Sequence, residues 1–280
     1  NDSEGQSIYN ENLGNVYLKK EDLVKAEDYF NRAKTLLDSE KNKDRVKEVE
    51  DKLASLQKHP KYVEGKEGKL LKEIESLEKE GKKREALSGY QELEELYYQG
   101  GNIDKAANTI SKSIELFEEL GDKNSAGICM GNLAGILLQL GYSGQPEQFD
   151  KAEEYCKRAL EIIGAGKDKR RQSYLLGSLG NIYLHKKDLD KAWDNYNQSL
   201  GFMAELGDIL GEARGYSNLG NVRLLQENYD DARVQFESSL ELMEQLENRP
   251  GIAQQCESLG DIYLKQGDLQ NAEIFLSRVI

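Results

Sequence analysis

A forty-residue period constrains this chain more than any other feature. Leu219-Gly220-Asn221, with Tyr216 before it and Asn228, Tyr229, Ala232 and Phe236 after it, has a counterpart one period earlier. That counterpart is Leu179-Gly180-Asn181, Tyr183, Asp188, Leu189, Ala192 and Tyr196. One period later come Leu259-Gly260-Asp261, Tyr263, Asp268, Leu269, Ala272 and Leu276. Self-similarity at such a period is the signature of a solenoid, in which each unit buries its apolar face only by stacking on its neighbours.

Each unit reads as two helices joined by a turn. In the first helix the glycine leaves room for a close neighbour. In the second, Asn228 stands as N-cap and Tyr229, Ala232, Phe236 and Leu240 share one apolar stripe. Asp22, Asn102, Asp188 and Asp268 occupy the same cap position, and Asp168, Asp208 and Asn248 cap the opening helices of later units. Ala26, Ala106, Ala192, Ala232 and Ala272 are the small pivots where the paired helices cross.

The pattern Leu-Gly-x-x-Tyr, Gly-Asp/Asn, Ala-x-x-x-Phe/Tyr resembles the tetratricopeptide repeat, in the longer forty-residue variety found in Pins and MalT. The resemblance implies an all-α, right-handed superhelical solenoid of about seven antiparallel helix pairs, one array over residues 1–280. The first unit, Ile8 to Leu37, carries Leu13-Gly14-Asn15, Tyr17, Asp22, Ala26 and Phe30. The second, within 41–85, is degenerate: Leu53-Ala54 keeps the register, but Lys66 replaces the pivot alanine, and His59-Pro60 supplies the turn. In the third, Leu93-Glu94 replaces Leu-Gly, which predicts an altered crossing. In the fourth, Leu133 and Ala152 stand six residues further apart than Leu219 and Ala232. The excess falls at 142–147, where a protruding surface loop is expected.

Composition agrees with an all-helical chain: 280 residues hold 3 prolines and 32% charged side chains, with a net charge of −13. Mean hydropathy is −0.73. Without an apolar run long enough to span a bilayer or a signal peptide at Asn1-Asp2-Ser3-Glu4, the reading is cytoplasmic, with the nucleus open and no membrane insertion. Cys129, Cys156 and Cys256, odd in number and widely spaced, read as reduced core residues. The chain stops at Ser277-Arg278-Val279-Ile280 inside an apolar stripe, so a fragment of a longer protein, or self-association through that uncapped end, is expected.

Catalysis finds no constellation here. His59 and His185 lack nucleophile or ligand partners, and no phosphate-binding glycine loop has the required spacing. Gly100-Gly101 and Gly164-Ala165-Gly166 read as helix-ending turns. Acidic pairs such as Glu94-Glu95 and Glu153-Glu154 read as solvated helix faces. No cofactor and no metal is expected.

The resemblance places the residue after Leu-Gly on the inner face of the superhelix: Asn15, Ser55, Glu95, Gly135, Asn181, Asn221 and Asp261. One turn earlier are Glu11, Asp51, Gln91, Ser217 and Glu257, and a further turn back Tyr174, Arg214 and Gln254. An asparagine amide donates and accepts at once, so Asn181 and Asn221 could clamp the backbone of an extended peptide. The same side chains could instead bridge helices within the scaffold. Leu224 and Tyr174 would add apolar anchors. Residues 41–85 hold 14 basic and 11 acidic side chains, whereas 190–280 hold 7 and 16. An acidic groove of Glu11, Asp51, Glu95, Glu257 and Asp261 would attract a basic or mixed-charge segment of another protein and repel nucleic acid. The expected function is an adaptor that binds such a segment. The other readings are a regulatory or sensory portion of an enzyme or transcription factor, a histone-tail reader like the repeats of Tonsoku, and a self-assembling scaffold.

Overall fold

The computed structural model describes residues 3–37, 42–164 and 168–279. Asn1, Asp2, Lys41, Ala165, Gly166 and Ile280, named above, lie outside the described residues. The chain divides into two compact units, Asn1–Asp122 and Lys123–Ile280.

The first unit contains α1 (Ser3–Lys19), α2 (Leu23–Leu36), α3 (Lys43–Gln57), α4 (Pro60–Lys79), α5 (Lys83–Gln99) and α6 (Ile103–Glu119). The second contains α7 (Lys123–Tyr142), α8 (Gln148–Ile163), α9 (Lys169–His185), α10 (Leu189–Leu206), α11 (Ile209–Leu225), α12 (Tyr229–Gln245), α13 (Arg249–Gln266) and α14 (Leu269–Leu276), closed by a 3-10 turn at Ser277–Val279. No strand occurs among the described residues.

Six of the turns share one chemistry. A residue in the left-handed region ends one helix, and the next residue caps the following one. Gly207 takes φ 64° and Gly267 φ 79°, values that cost glycine little, and Glu21, Lys187, Glu227 and Glu247 adopt the same conformation. The backbone N–H of Gly211 donates to Asp208 at 2.9 Å, that of Gly251 to Asn248 at 3.0 Å and that of Arg171 to Asp168 at 3.0 Å. Asp22, Asp188, Asn228 and Asp268 cap in the same way. Asn102 stands at the start of α6 but makes no side-chain cap bond, a departure from the repeat pattern.

Within the regular pairs the glycine of Leu-Gly meets a ring. A Cβ on Gly14 would lie 2.6 Å from Phe30, on Gly180 2.5 Å from Tyr196 and on Gly220 2.8 Å from Phe236. Ala26, Ala192 and Ala232 at the same crossings are fully buried. A serine staple crosses three pairs: Ser7 Oγ donates to the Ala33 carbonyl, Ser173 Oγ to that of Ser199 and Ser239 Oγ to that of Ala213. A second contact joins a residue of α5, α9 and α11 to one thirty positions earlier. Tyr97 donates to Glu67 and Tyr183 to Glu153, each at 2.8 Å, while Arg223 lies 3.7 Å over the Trp193 ring.

Two regions depart from the pattern. α3 packs on α2, and α4 forms an antiparallel hairpin with α5 rather than with α3. Ala54, in the register of the buried Gly14, is accordingly exposed. Gly89 of α5 is instead the close crossing, where a Cβ would meet Ile74 of α4 at 2.6 Å. Glu94, standing where a glycine would be, is half-buried, and burial pushes its carboxyl pKa up. At 142–147 the excess residues do not all form a loop: α7 continues to Tyr142, and only the remainder lengthens the turn before α8.

Candidate functional site

The open faces of the first helices hold most of the expected residues, and the two units present them differently. In the second unit, Tyr174 on α9 is 52% exposed and its hydroxyl lies against Gly135 of α7. Asn181, about two turns further along α9, is half-buried and accepts a hydrogen bond from the Tyr196 hydroxyl at 2.6 Å. Burial, with the nearby Tyr142, pushes that hydroxyl's pKa up and keeps it a donor. The Asn181 carbonyl is therefore committed to the scaffold.

Asn221 differs because Phe236 stands where Tyr196 would be. Its amide makes no hydrogen bond among the described residues, and the same is true of Asn15 beside Phe30. Along α11 the open stripe is Arg214, Asn218, Asn221 and Leu225. Ser217, expected on this stripe, is only 8% exposed and faces inward. Leu224, the expected apolar anchor, packs against the cluster of Ala232, Phe236, Leu240, Cys256, Leu259 and Ile262, whereas Leu225 is 58% exposed. Steps of three and four residues both approximate one helical turn, so spacing alone does not choose between 217 and 218 or between 224 and 225. Packing against α12 and α13 decides it. On α13, Gln254, Glu257 and Asp261 are exposed.

In the first unit the charges are largely committed. Glu11 is expected as a ligand contact but accepts from Lys52 at 2.7 Å and Arg45 at 3.2 Å across α1 and α3. Burial raises its pKa, yet those two cations outweigh it and hold the carboxyl below its ordinary value. Glu11 thus joins helices rather than awaiting a ligand. Glu95 is exposed and accepts from Gln99 at 2.9 Å. It lines a cleft of about 220 Å³ with Glu27, Gln57, Lys66, Glu92, Leu96 and Gln99. Lys66, standing where the pivot alanine would be, meets Glu27 at 3.3 Å and the Tyr62 hydroxyl at 3.0 Å. Asp51 and Ser55 are exposed on α3.

The remaining chemistry is structural. Burial, helped by Glu153, raises the Cys156 thiol to about 12, and no disulfide joins the three cysteines. His185 stacks on Phe149 at 3.8 Å, with Tyr142 edge-on to both rings. Among the described residues no group of His, Cys, Asp and Glu could hold a metal ion, and no helix is long and apolar enough to cross a membrane. Asn218, Leu225 and the thirty-residue contacts are the features that sequence reasoning missed. The separation of Tyr183 from Glu153 was available in the repeat register.

Residues 211–280 match the family model described as tetratricopeptide repeat. Over 120 residues the chain is 29% identical to the 43 kDa receptor-associated protein of the synapse from Tetronarce californica, covering 42% of this chain and 28% of that protein. The chain thus spans less than a third of that relative's length. In structure it is similar to BtubC (BKLC) from P. vanneervenii, with a TM-score of 0.62, 20% identity and coverage of 78% of this chain and 89% of the other. It is also similar to a signal transduction ATPase with a tetratricopeptide repeat sensor from Pyrococcus horikoshii, with a TM-score of 0.67, 17% identity and coverage of 99% and 41%. Helix pairs at a forty-residue period, a glycine set against a ring or a leucine at the regular crossings, and the likeness to these solved structures lead to one conclusion: the chain has the tetratricopeptide-repeat fold, and its residues 211–280 match the family's own model.

Proposed function

We propose that this chain is a non-catalytic scaffold that captures an extended segment of another protein on the open faces of its first helices. The observation that carries this reading is the stripe on α11, where Asn218 and Asn221 stand partly open beside exposed Arg214 and Leu225. A side-chain amide left uncommitted on a rigid helix offers a donor and an acceptor together, the pair that an extended backbone presents in return. Asn181 contributes its N–H donors while its carbonyl stays with Tyr196. Leu225 supplies the apolar contact, and Glu257 and Asp261 on α13 favour a segment with positive or neutral residues there.

The test is affinity capture from native lysate at moderate salt, with wild-type chain beside an Asn218→Ala/Asn221→Ala variant. This pair is cleaner than Asn181→Ala, which would also strip the Tyr196 hydroxyl of its acceptor. A partner held by the wild type and lost by the variant, with helical content unchanged by circular dichroism, is the expected outcome. The same partners on both proteins would refute the reading.

A further inference from the structure

The contact of Glu67 with Tyr97 and that of Glu153 with Tyr183 set α4 and α5 in register with α8 and α9. In the second unit this register holds a lysine between two carboxylates: Lys186 Nζ lies 2.5 Å from Asp150 and 2.6 Å from Glu153. Lys157 reaches Glu153 as well, at 2.6 Å. The first unit keeps both carboxylates, as Glu64 and Glu67, and loses both lysines: Gly100 stands for Lys186 and Leu71 for Lys157. The backbone does not demand the exchange, since Gly100 has φ −76° and ψ −2° where Lys186 has φ −73° and ψ −2°. Val63 likewise replaces the larger Phe149. What remains is a cleft of about 660 Å³ lined by Pro60, Val63, Glu64, Leu71, Gly100 and Asn102, with Glu67 and Lys105 at its side.

We infer that this cleft takes a lysine side chain of another protein, whose ammonium stands where that of Lys186 stands in the second unit. The site belongs to the first unit and does not depend on the capture reading above. Lysine carries a compact charge on a flexible four-carbon stem. Pro60, Val63 and the 44% exposed Leu71 give the stem apolar contact, and Glu64 and Glu67 give the ammonium its acceptors. Asn102, whose side chain makes no cap bond, offers a donor and an acceptor to the backbone that bears the lysine. A cleft of this volume holds the flanking residues too. The charges around it choose among cations. Glu67 already accepts from Lys105 at 2.9 Å, whereas Glu64 is exposed and makes no ion pair or side-chain hydrogen bond among the described residues. Lys58, which also lines the cleft, is an uncommitted cation of the same kind. One open carboxylate beside two lysines favours a single positive charge in an otherwise neutral segment over a polyamine or a run of basic residues.

The experiment selects random dodecapeptides displayed on phage against the wild-type chain, with each round depleted on immobilised Gly100→Lys. That variant puts the chain's own lysine in the cleft, so the depletion removes peptides held on any other surface. The recovered peptides are expected to share one lysine. Made synthetically, they should lose affinity roughly tenfold when that lysine becomes Met, which keeps an apolar stem without the charge. Glu64→Gln, an exposed replacement that leaves the fold intact, should weaken the lysine peptides by a similar factor and leave the Met peptides unchanged. Gly100→Ala adds a methyl that does not reach the carboxylates and should bind as the wild type does, which separates an occupied cleft from a disturbed turn. Circular dichroism checks the helical content of each variant. The inference is overturned by no enrichment, by hits without a shared lysine, by equal affinity of the lysine and Met peptides, by undiminished binding to Glu64→Gln, or by a loss in Gly100→Ala as large as in Gly100→Lys. Displacement of the peptides by equimolar spermidine would also overturn it, assigning the cleft to a free polyamine.

Discussion

The two units hold their helices together by the same two devices in different proportion. In the second, crossings repeat one device, a glycine under a buried ring or leucine: Gly180 under Tyr196, Gly220 under Phe236, Gly260 under Leu276. In the first, that device occurs at Gly14 and Phe30, and ion pairs of a kind the second unit also has, as at Lys186 with Asp150 and Glu153, carry more of the joints: Glu11 with Lys52 and Arg45, Glu27 with Lys66, Glu67 with Lys105. Contact between a ring and a backbone fixes helix position to within tenths of an ångström, because overlap rises steeply. Partly exposed ion pairs tolerate displacement and contribute only about 0–1 kcal/mol each. The difference explains why α3 and α4 are free to abandon the standard pairing. It also separates the open faces: lysine–carboxylate chemistry around Glu92 and Glu95 in the first unit, amides around Asn218 and Asn221 in the second.

The largest effects should come from breaking a ring crossing. Phe236 is fully buried beneath Gly220, so Phe236→Ala is expected to cost about 3–5 kcal/mol. Gly220→Ala adds a Cβ 2.8 Å from the same ring and should cost about 1–3 kcal/mol, despite the gain in helix propensity. Lys66→Met in the first unit keeps the aliphatic stem and loses the pair to Glu27, an expected loss of about 1 kcal/mol. Urea midpoints followed by far-ultraviolet circular dichroism rank the three. A Lys66→Met loss as large as that of Phe236→Ala would erase the contrast.

An effect smaller than that of breaking a ring crossing sharpens the comparison at a joint that both units share. Glu153 and Glu67 each accept from a tyrosine thirty residues later. Burial raises the Glu153 pKa, but hydrogen bonds from Lys157, Lys186 and Tyr183 prevail and hold it down to about 2. Glu67, with Lys105 and Tyr97, is lowered by the same balance. A carboxyl depressed by folding contributes stability in full above its unfolded value near 4.5, and that contribution is lost as pH falls toward 2. Glu153→Gln is therefore expected to cost about 1–2 kcal/mol at pH 7 and to flatten the decline in stability between pH 5 and pH 3. Glu67→Gln should do the same more weakly, having fewer donors. Equal flattening by both would show that the third donor, Lys157, adds nothing.

Most of the fold was legible because the repeat writes each constraint several times. The turn asparagines and aspartates, the pivot alanines and the glycines of Leu-Gly each recur in register, so an error at one copy is corrected by the next. Where copies diverge, as at Lys66 and Glu94, the sequence announces a departure but not its form. Nothing in the register says that α4 turns to α5, since that depends on Ile74 finding Gly89. The candidate site was half legible for a related reason. Arg214 and Asn221 follow from the register, but Ser217 against Asn218 and Leu224 against Leu225 differ by one residue on a helix whose two flanks are both apolar. The Asn181–Tyr196 bond was hidden in the single exchange of a tyrosine for a phenylalanine between repeats.

The smallest effect turns on a glycine that serves no crossing. Gly68 lies in mid-α4, exposed, and a Cβ there would meet nothing within 4 Å. Its backbone is helical, so the glycine brings only the entropic cost of its unfolded chain. Gly68→Ala is expected to stabilise by about 0.5–1 kcal/mol. The same exchange at Gly14, with Phe30 2.6 Å from the new Cβ, is expected to destabilise. Opposite signs for one substitution in one unit distinguish a glycine that makes room for a ring from one left where α3 no longer pairs with α4. A loss of stability in Gly68→Ala, read as a lowered urea midpoint at unchanged slope, would mean that this face of α4 is packed, and the regular pairing would then extend further into the first unit.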